Sequence, residues 1–306
     1  MSGEQGTRTG RVAICIPTFQ RNDMLRACLA SIAHLRLPPS PACEVIVADN
    51  DAGGGARFVC DEQRASLSCP LHYVVEPQRG LVHIRNRLLE EAARRDAGWI
   101  AFIDDDELAD EHWLERHLEA LGRFAADVAS GPAIQGAPAA APEARLPSRG
   151  PTGSTPRHVA CNNVVFSMRL VREQQLRFDP RFNFMGGEDF DFFDRSQRLG
   201  NRHIWVADAR VFEPVRPDRA TWRYLFRRHF SGAINSVVRF RKSRGAVRAW
   251  PHFLLKAAGK VLGALFSLLC ACVYAHRRHA QDAVKRIANG LGYLCGLCNF
   301  IVERYR

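Results

Sequence analysis

Three aspartates and a glutamate, Asp104, Asp105, Asp106 and Glu107, follow directly on the apolar run Trp99 to Ile103. Adjacent carboxylates repel, and each raises the pKa of its neighbours unless a positive charge sits among them. A polar turn accounts for the aspartates in one way; a divalent cation that neutralises the cluster accounts for them in another. Oxygen ligands at a strand end favour Mg2+ or Mn2+ over zinc, and the sequence holds no matching Cys/His set. A second acidic stretch, Glu188-Asp189, follows Phe184-Met185-Gly186-Gly187 and precedes Phe190. Acids in the first turn of a helix are one reading. The other is a carboxylate held against apolar walls, which gains basicity and suits a general base.

These residues need elements to present them, and the first 130 positions supply a regular alternation. "RVAICIP", "CEVIVADN", "LHYVVEP" and "WIAFIDDDE" read as strands; "NDMLRACLASIAHL", "ARFVCDEQRAS" and "LVHIRNRLLEEAARR" read as helices, with Asn22 or Asp23 as the cap of the first. Such spacing predicts a mostly parallel sheet with helices on both faces. Ligands in these sheets sit beyond the carboxyl ends of the strands. Three strands end there in polar sets: Pro17-Thr18, Asp49-Asn50-Asp51 and Asp104-Asp105-Asp106. Residues 135–157, rich in Pro, Ala and Gly, read as a loop, "HVACNNVVFSMRLV" as a strand leading into a helix, and "GGEDFDFFDRSQRLG" as a helix closed by Gly200.

The charge of +11 is uneven: Arg216 to Lys260 holds twelve Lys and Arg against Asp218 alone. That block calls for an anionic partner. No nucleic-acid motif accompanies it, so no nucleic-acid partner is expected. Two uncharged runs follow, Val261 to Ala275 and Ile287 to Val302, each shorter than the roughly 20 residues of a membrane span. A buried helical hairpin is one reading. A monotopic or re-entrant pair on an anionic membrane surface is the other, and the adjoining basic block favours it. The ten cysteines, with no apolar leader after Met1, read as reduced cytosolic thiols; the Cys295/Cys298 pair stands without a second pair and is a weak metal or redox motif.

From Val12 to Glu213 the order of motifs, "CIPTFQR", "VADND", "GLVHIRN", "FIDDDE" and "GGEDFDFF", resembles the family 2 glycosyltransferases of the GT-A fold, most of all the bacterial exopolysaccharide enzymes. The resemblance implies an α/β domain over residues 1–218, with its Rossmann-like, mostly parallel sheet, and a basic, apolar helical region over 219–306. It implies an inverting, metal-dependent transfer of a hexose from a nucleotide sugar, a UDP-sugar, to a glycan or lipid-linked glycan at the cytosolic face of the inner membrane. By the same resemblance Pro17, Thr18 and Phe19 border the nucleotide base, Asp49 bonds the uracil or ribose, and Arg85 meets nucleotide or phosphate. Asp104 and Asp106 hold Mn2+ or Mg2+, Asp105 contacts the sugar, and Asp189 is the base with Glu188 in support.

Two departures mark this chain. Asp49-Asn50-Asp51-Ala52 replaces the family's common Asp-Asp-Gly-Ser, and Glu213 stands where many members carry a His. Arg227 or Arg228 is expected to supply the positive charge that the His would have given. Two rival readings remain: a Mg2+-dependent phosphohydrolase built on the DxD cluster, and an inactive membrane-bound scaffold. The first wants Thr or Val where Leu108 stands; the second expects loss of acids that are all present.

Overall fold

The computed structural model describes residues 10–136, 150–214, 221–274, 277–300 and 302. Positions 137–149 of the expected loop, Arg216, Asp218 and Arg219 of the basic block, and the expected boundary at 218 lie outside the described residues. The described residues form two compact units. One takes in the chain up to Arg181 and again from Glu188; the other joins Phe182–Gly187 to the C-terminal helices.

In the first unit strand and helix alternate as expected: β1 (Arg11–Thr18), α1 (Asn22–Ala33), β2 (Cys43–Asp49), α2 (Arg57–Gln63), β3 (Leu71–Val75), α3 (Leu81–Arg94) and β4 (Ala97–Ile103). β5 (Leu108–Ala109), α4 (Trp113–Arg123), β6 (Val128–Ser130), β7 (Ala133–Gln135), β8 (Asn163–Ser167), α5 (Arg169–Arg172), α6 (Glu188–Arg198), β9 (His203–Trp205) and β10 (Val211–Glu213) follow. Seven strands make one mixed, mostly parallel sheet in the order β3-β2-β1-β4-β8-β6-β9, in which β8 runs antiparallel to β4 and β6. β5, β10 and β7 form a small second sheet.

The central strands are buried almost end to end, as strands with helices on both faces must be. Their period of two sorts the side chains. Val12, Ile14, Ile16, Val45, Val47, Trp99, Ala101 and Ile103 share one core with α1, α2 and α4. Phe102 points to the opposite face, where it stacks on Phe166 of β8 at 5.9 Å between ring centroids. Phe192 of α6 lies 5.6 Å from Phe166 and 4.5 Å from Phe178. These rings, one turn beyond Glu188-Asp189, seat the start of α6 against the sheet. The parallel register places Thr18 opposite Asp49 and Asp49 opposite Val75, so the strand ends share one edge.

α1 departs from the sequence reading at its cap. Asn22 and Asp23 lie inside the helix and the N-cap position is Arg21, with no side-chain cap bond. The Asn22 amide is instead donated to the Gly55 carbonyl at 3.2 Å.

The second unit holds α7 (Trp222–Arg244), α8 (Ala246–Tyr274) and α9 (Arg277–Leu297), packed on one another. α9 approaches α7 closely because Gly292 lies against it: a Cβ there would come 2.4 Å from the Phe230 carbonyl oxygen. The apolar run expected from Val261 is part of a longer helix. α8 continues upstream through Lys260, Lys256 and Arg248, since Lys and Arg are good helix formers. It is long and apolar enough to cross a membrane by length and composition. Its small residues Ala257, Ala264 and Ser267 are buried, while Leu262, Leu265, Phe266 and Leu269 are 59–69% exposed. The pair of apolar helices is therefore packed together without hiding the outer face of α8.

Candidate active site

The acidic turn after β4 closes on itself. The Glu107 amide donates to the Asp104 carbonyl at 3.2 Å, and the Asp104 amide donates to Glu107 Oε2 at 3.3 Å. Asn162 donates to the other Glu107 oxygen at 2.7 Å. Glu107 is buried, and burial together with Asp104 raises its pKa well above the usual carboxylate range. Asp104 is only partly exposed, and its pKa is pushed up to about 6 by burial, with Asp106, Asp105 and Asp189 adding to the effect and Arg85 opposing it. Asp189 at the start of α6 therefore lies within the electrostatic reach of the turn.

Arg85 joins the two acidic motifs. It sits on α3, 5% exposed, paired with Glu188 through Nη1 and 3.7 Å from Asp104 through Nη2. Its neighbour Asn86 donates to the Phe178 carbonyl at 3.0 Å and accepts the Phe178 amide at 2.9 Å, which ties α3 to the segment leading toward α6. Glu188 is 3% exposed, and burial pushes its pKa up to about 7 despite Arg85. The apolar-wall argument made for the Glu-Asp pair thus applies first to Glu188. Asp189 is half-buried and accepts the Phe190 amide at 2.7 Å on Oδ1.

Four residues expected to contact the donor, Asp49, Asp105, Thr18 and Arg85, have protein partners here. Asp49 is wholly buried: Oδ1 accepts the Asp51 amide at 2.9 Å, and Oδ2 accepts the Ala56 amide at 2.9 Å and the Tyr73 hydroxyl at 2.7 Å. With three protein donors and no exposed surface, this carboxylate shapes the β2–α2 loop. Asp105, 3% exposed, accepts Thr18 Oγ1 at 2.8 Å and Arg21 Nη1 at 3.0 Å, so it locks the end of β1 to the turn. Thr18 is spent on the same bond and is 2% exposed; Pro17 is buried beside it. Arg85, expected against phosphate, is engaged with acids.

Phe19 remains half-buried at the strand edge, and the Arg79 guanidinium lies 3.8 Å from its ring centroid. Arg79 was missed by sequence reasoning, as were Arg21 and Tyr73. Arg79 stands in "EPQRG", the loop after β3, a fourth carboxyl-end loop of the same sheet. That position was the available signal. Arg21 lies 3.5 Å from Asp106 as well as bonding Asp105. Glu213 ends β10, and Arg227 and Arg228 are exposed on α7 of the second unit.

The donors on offer are hard carboxylate oxygens, and Glu188 Oε2 and Arg85 Nε are buried without a partner among the described residues. No three His, Cys, Asp or Glu side chains among the described residues converge enough to hold an ion unaided. Hard carboxylate oxygens such as those of Asp104 and Asp106 are of the kind that suits Mg2+ or Mn2+. Cys43 and Cys60 are thiols whose pKa burial pushes up to about 12, and all ten cysteines are free.

Residues 13–187 match the model of the family described as glycosyl transferase family 2. The chain is 28% identical over 311 residues to the succinoglycan biosynthesis protein ExoM of Rhizobium meliloti (strain 1021), covering 97% of this chain and 96% of that protein. Among solved structures, the mannosyltransferase PcManGT from Pyrobaculum calidifontis, in complex with GDP-Man and Mn2+, has a TM-score of 0.66 at 16% identity over 95% of this chain and 88% of that one. S. aureus TarS has a TM-score of 0.55 at 15% identity over 94% of this chain, which spans 55% of that one. Its 1–349 form in complex with UDP-GlcNAc has a TM-score of 0.54 at 13% identity, with 92% and 90% covered. These structural likenesses establish the GT-A fold.

Proposed function

The chain belongs to glycosyl transferase family 2, and from that membership we propose that it transfers a hexose, with inversion, from a UDP-sugar to a glycan or lipid-linked glycan hydroxyl. The likeness to a succinoglycan biosynthesis protein supports a place in exopolysaccharide assembly. Nucleotide sugars in the PcManGT and TarS complexes, and Mn2+ in the former, support the donor class and the cation. The observation that carries the reading is Arg85, one buried guanidinium shared by the acid of the strand-end turn and the acid that opens α6.

Asp104 and Asp106 would hold Mn2+ or Mg2+, which when bound would supply positive charge to offset the charge that builds on the leaving group. Phe19 and Arg79, with Pro17 and Thr18 behind them, border the nucleotide base. Asp189 takes the proton of the acceptor hydroxyl as the acceptor oxygen attacks the anomeric carbon from the face opposite the departing nucleoside diphosphate. Glu188, tied to Arg85, holds that first turn in register with the acidic turn. Asp105 keeps the turn on β1, and Asp49 holds the loop that follows β2.

The second unit is proposed to rest on the cytosolic face of the inner membrane, its anionic lipid met by Arg223, Arg227, Arg228, Arg244, Arg248 and Lys256 and its apolar region by α8. The test is a screen of nucleotide sugars for Mn2+- or Mg2+-dependent release of nucleoside diphosphate. One donor is expected to respond, and Asp106→Ala is expected to abolish the response. Release of phosphate from simple monoesters instead, or full turnover in Asp106→Ala, overturns the reading.

A further inference from the structure

We propose that Asn162 and Glu107 form a positioning pair that fixes the acidic turn after β4, so that Asp104 and Asp106 can share a divalent cation. The proposal rests on Asp104 and Asp106 being that cation's ligands. Glu107 is the last acid of the run, yet it is 2% exposed whereas the Asp104 side chain is 33% exposed. A buried carboxylate needs donors, and each of its oxygens has one. Oε2 accepts the Asp104 amide at 3.3 Å, and Oε1 accepts Asn162 Nδ2 at 2.7 Å. Glu107 therefore holds the backbone that carries the other acids.

Asn162 can anchor the turn because its own position is strongly determined. β4 and β8 run antiparallel and their ladder ends at the pair Ile103 and Asn163, so Asn162 follows on the side where the turn begins. Asn163, 2% exposed, accepts Trp113 Nε1 at 2.8 Å on Oδ1 and donates Nδ2 to the Pro132 and Ala209 carbonyls at 2.9 and 2.8 Å. The start of β8 cannot slide without breaking these buried bonds.

The turn is less secure by itself. Its main chain closes through the Glu107 amide, which donates to the Asp104 carbonyl at 3.2 Å. Three adjacent aspartates repel one another and favour opening it. The Asn162 bond ties the turn's last residue to β8, as the Thr18 bond to Asp105 ties its middle to β1. Hydrogen bonds that orient ligating carboxylates in this way are worth about 10–100-fold in metal affinity.

The test swaps the partners. Asn162→Asp sets a second carboxylate against Glu107. Glu107→Gln combined with Asn162→Asp reverses the bond: the new NH2 at position 107 donates to the new carboxylate at position 162, and the remaining oxygen still accepts the Asp104 amide. In Asn162→Asp, hydrogen exchange of the Asp104 and Glu107 amides is expected to quicken about tenfold or more. Mn2+ affinity in the presence of UDP, read by calorimetry, is expected to fall about 10–100-fold. UDP affinity in EDTA should stay within about twofold, and the double variant should recover both exchange and Mn2+ affinity to within about threefold of wild type. Unchanged exchange, unchanged Mn2+ affinity, a parallel fall in metal-free UDP affinity, or no recovery in the double variant overturns the proposal. If Asn162→Asp does not fold, Asn162→Ala removes the donor alone, and the same exchange and affinity criteria apply. Mn2+ affinity undiminished by Asp106→Ala would instead remove the assignment of the ligands, and the exchange result would still judge the pair.

Discussion

Asp49 illustrates how a residue's role follows from its donors. An ionised carboxylate accepts and cannot donate, and here the Asp51 amide, the Ala56 amide and the Tyr73 hydroxyl all point at it. Asp49→Asn turns one oxygen into an NH2 group that must face one of those donors in either orientation. The variant is expected to lose about 1 to 3 kcal/mol of stability, the cost of a broken and unsatisfied buried hydrogen bond, read from urea unfolding. Intact stability with weakened UDP binding would return Asp49 to the role of a nucleotide contact. Glu188 and Asp189 differ in the same way. They are adjacent in sequence, yet Glu188 is enclosed beside Arg85 whereas Asp189 keeps an open side.

At the scale of elements, α4 is held by a buried polar knot. Trp113 Nε1 donates to Asn163 Oδ1 at 2.8 Å, His117 Nε2 meets the same oxygen at 2.8 Å, and the Asn163 amide is donated to the Pro132 and Ala209 carbonyls. His117 is fully buried with Nδ1 unpartnered among the described residues, and burial lowers its pKa from 6.5 to about 4. The unfolded chain therefore takes up this proton first. The stability due to neutral His117 is full above pH 6.5 and is lost as pH falls toward 4, on the order of 3 kcal/mol in all. His203 of β9, lowered to about 4 by burial, acts in the same direction. His117→Gln keeps a donor for Asn163 and cannot titrate in this range, so its unfolding free energy should decline less steeply between pH 6.5 and 4.5. Parallel profiles for variant and wild type would deny the effect.

At the scale of the molecule, the acids Asp104 to Glu107 and Glu188-Asp189 and the apolar helices belong to different compact units. α8 is 29 residues long, about 43 Å at the helical rise, and carries its exposed leucines with Phe266 on one side. The full chain is expected to sediment with vesicles containing phosphatidylglycerol more than with zwitterionic ones, and 0.5 M salt should erase much of that preference because the Debye length shrinks to a few ångströms. Replacing Leu265, Phe266 and Leu269 together by Ser should weaken vesicle binding more than tenfold, since each large apolar side chain contributes about 1.5–3 kcal/mol when fully buried. Binding unchanged in this triple variant would remove α8 from the membrane surface.

The sequence alone determined the alternation of strand and helix, the edge at which the polar strand ends gather, and the order of motifs that marks the family. Each is written in local periodicity and in residue types a few positions apart. Tertiary structure decided which carboxylates are available. Thr18 reaches Asp105 across 87 positions, Arg85 reaches Glu188 across 103, and Tyr73 closes on Asp49 from the neighbouring strand. A carboxylate's charge and freedom depend on burial and on donors brought from elsewhere in the chain. Neither is present in the short stretch that names the motif, and so the acidic sites were legible while the division of labour among their acids was not.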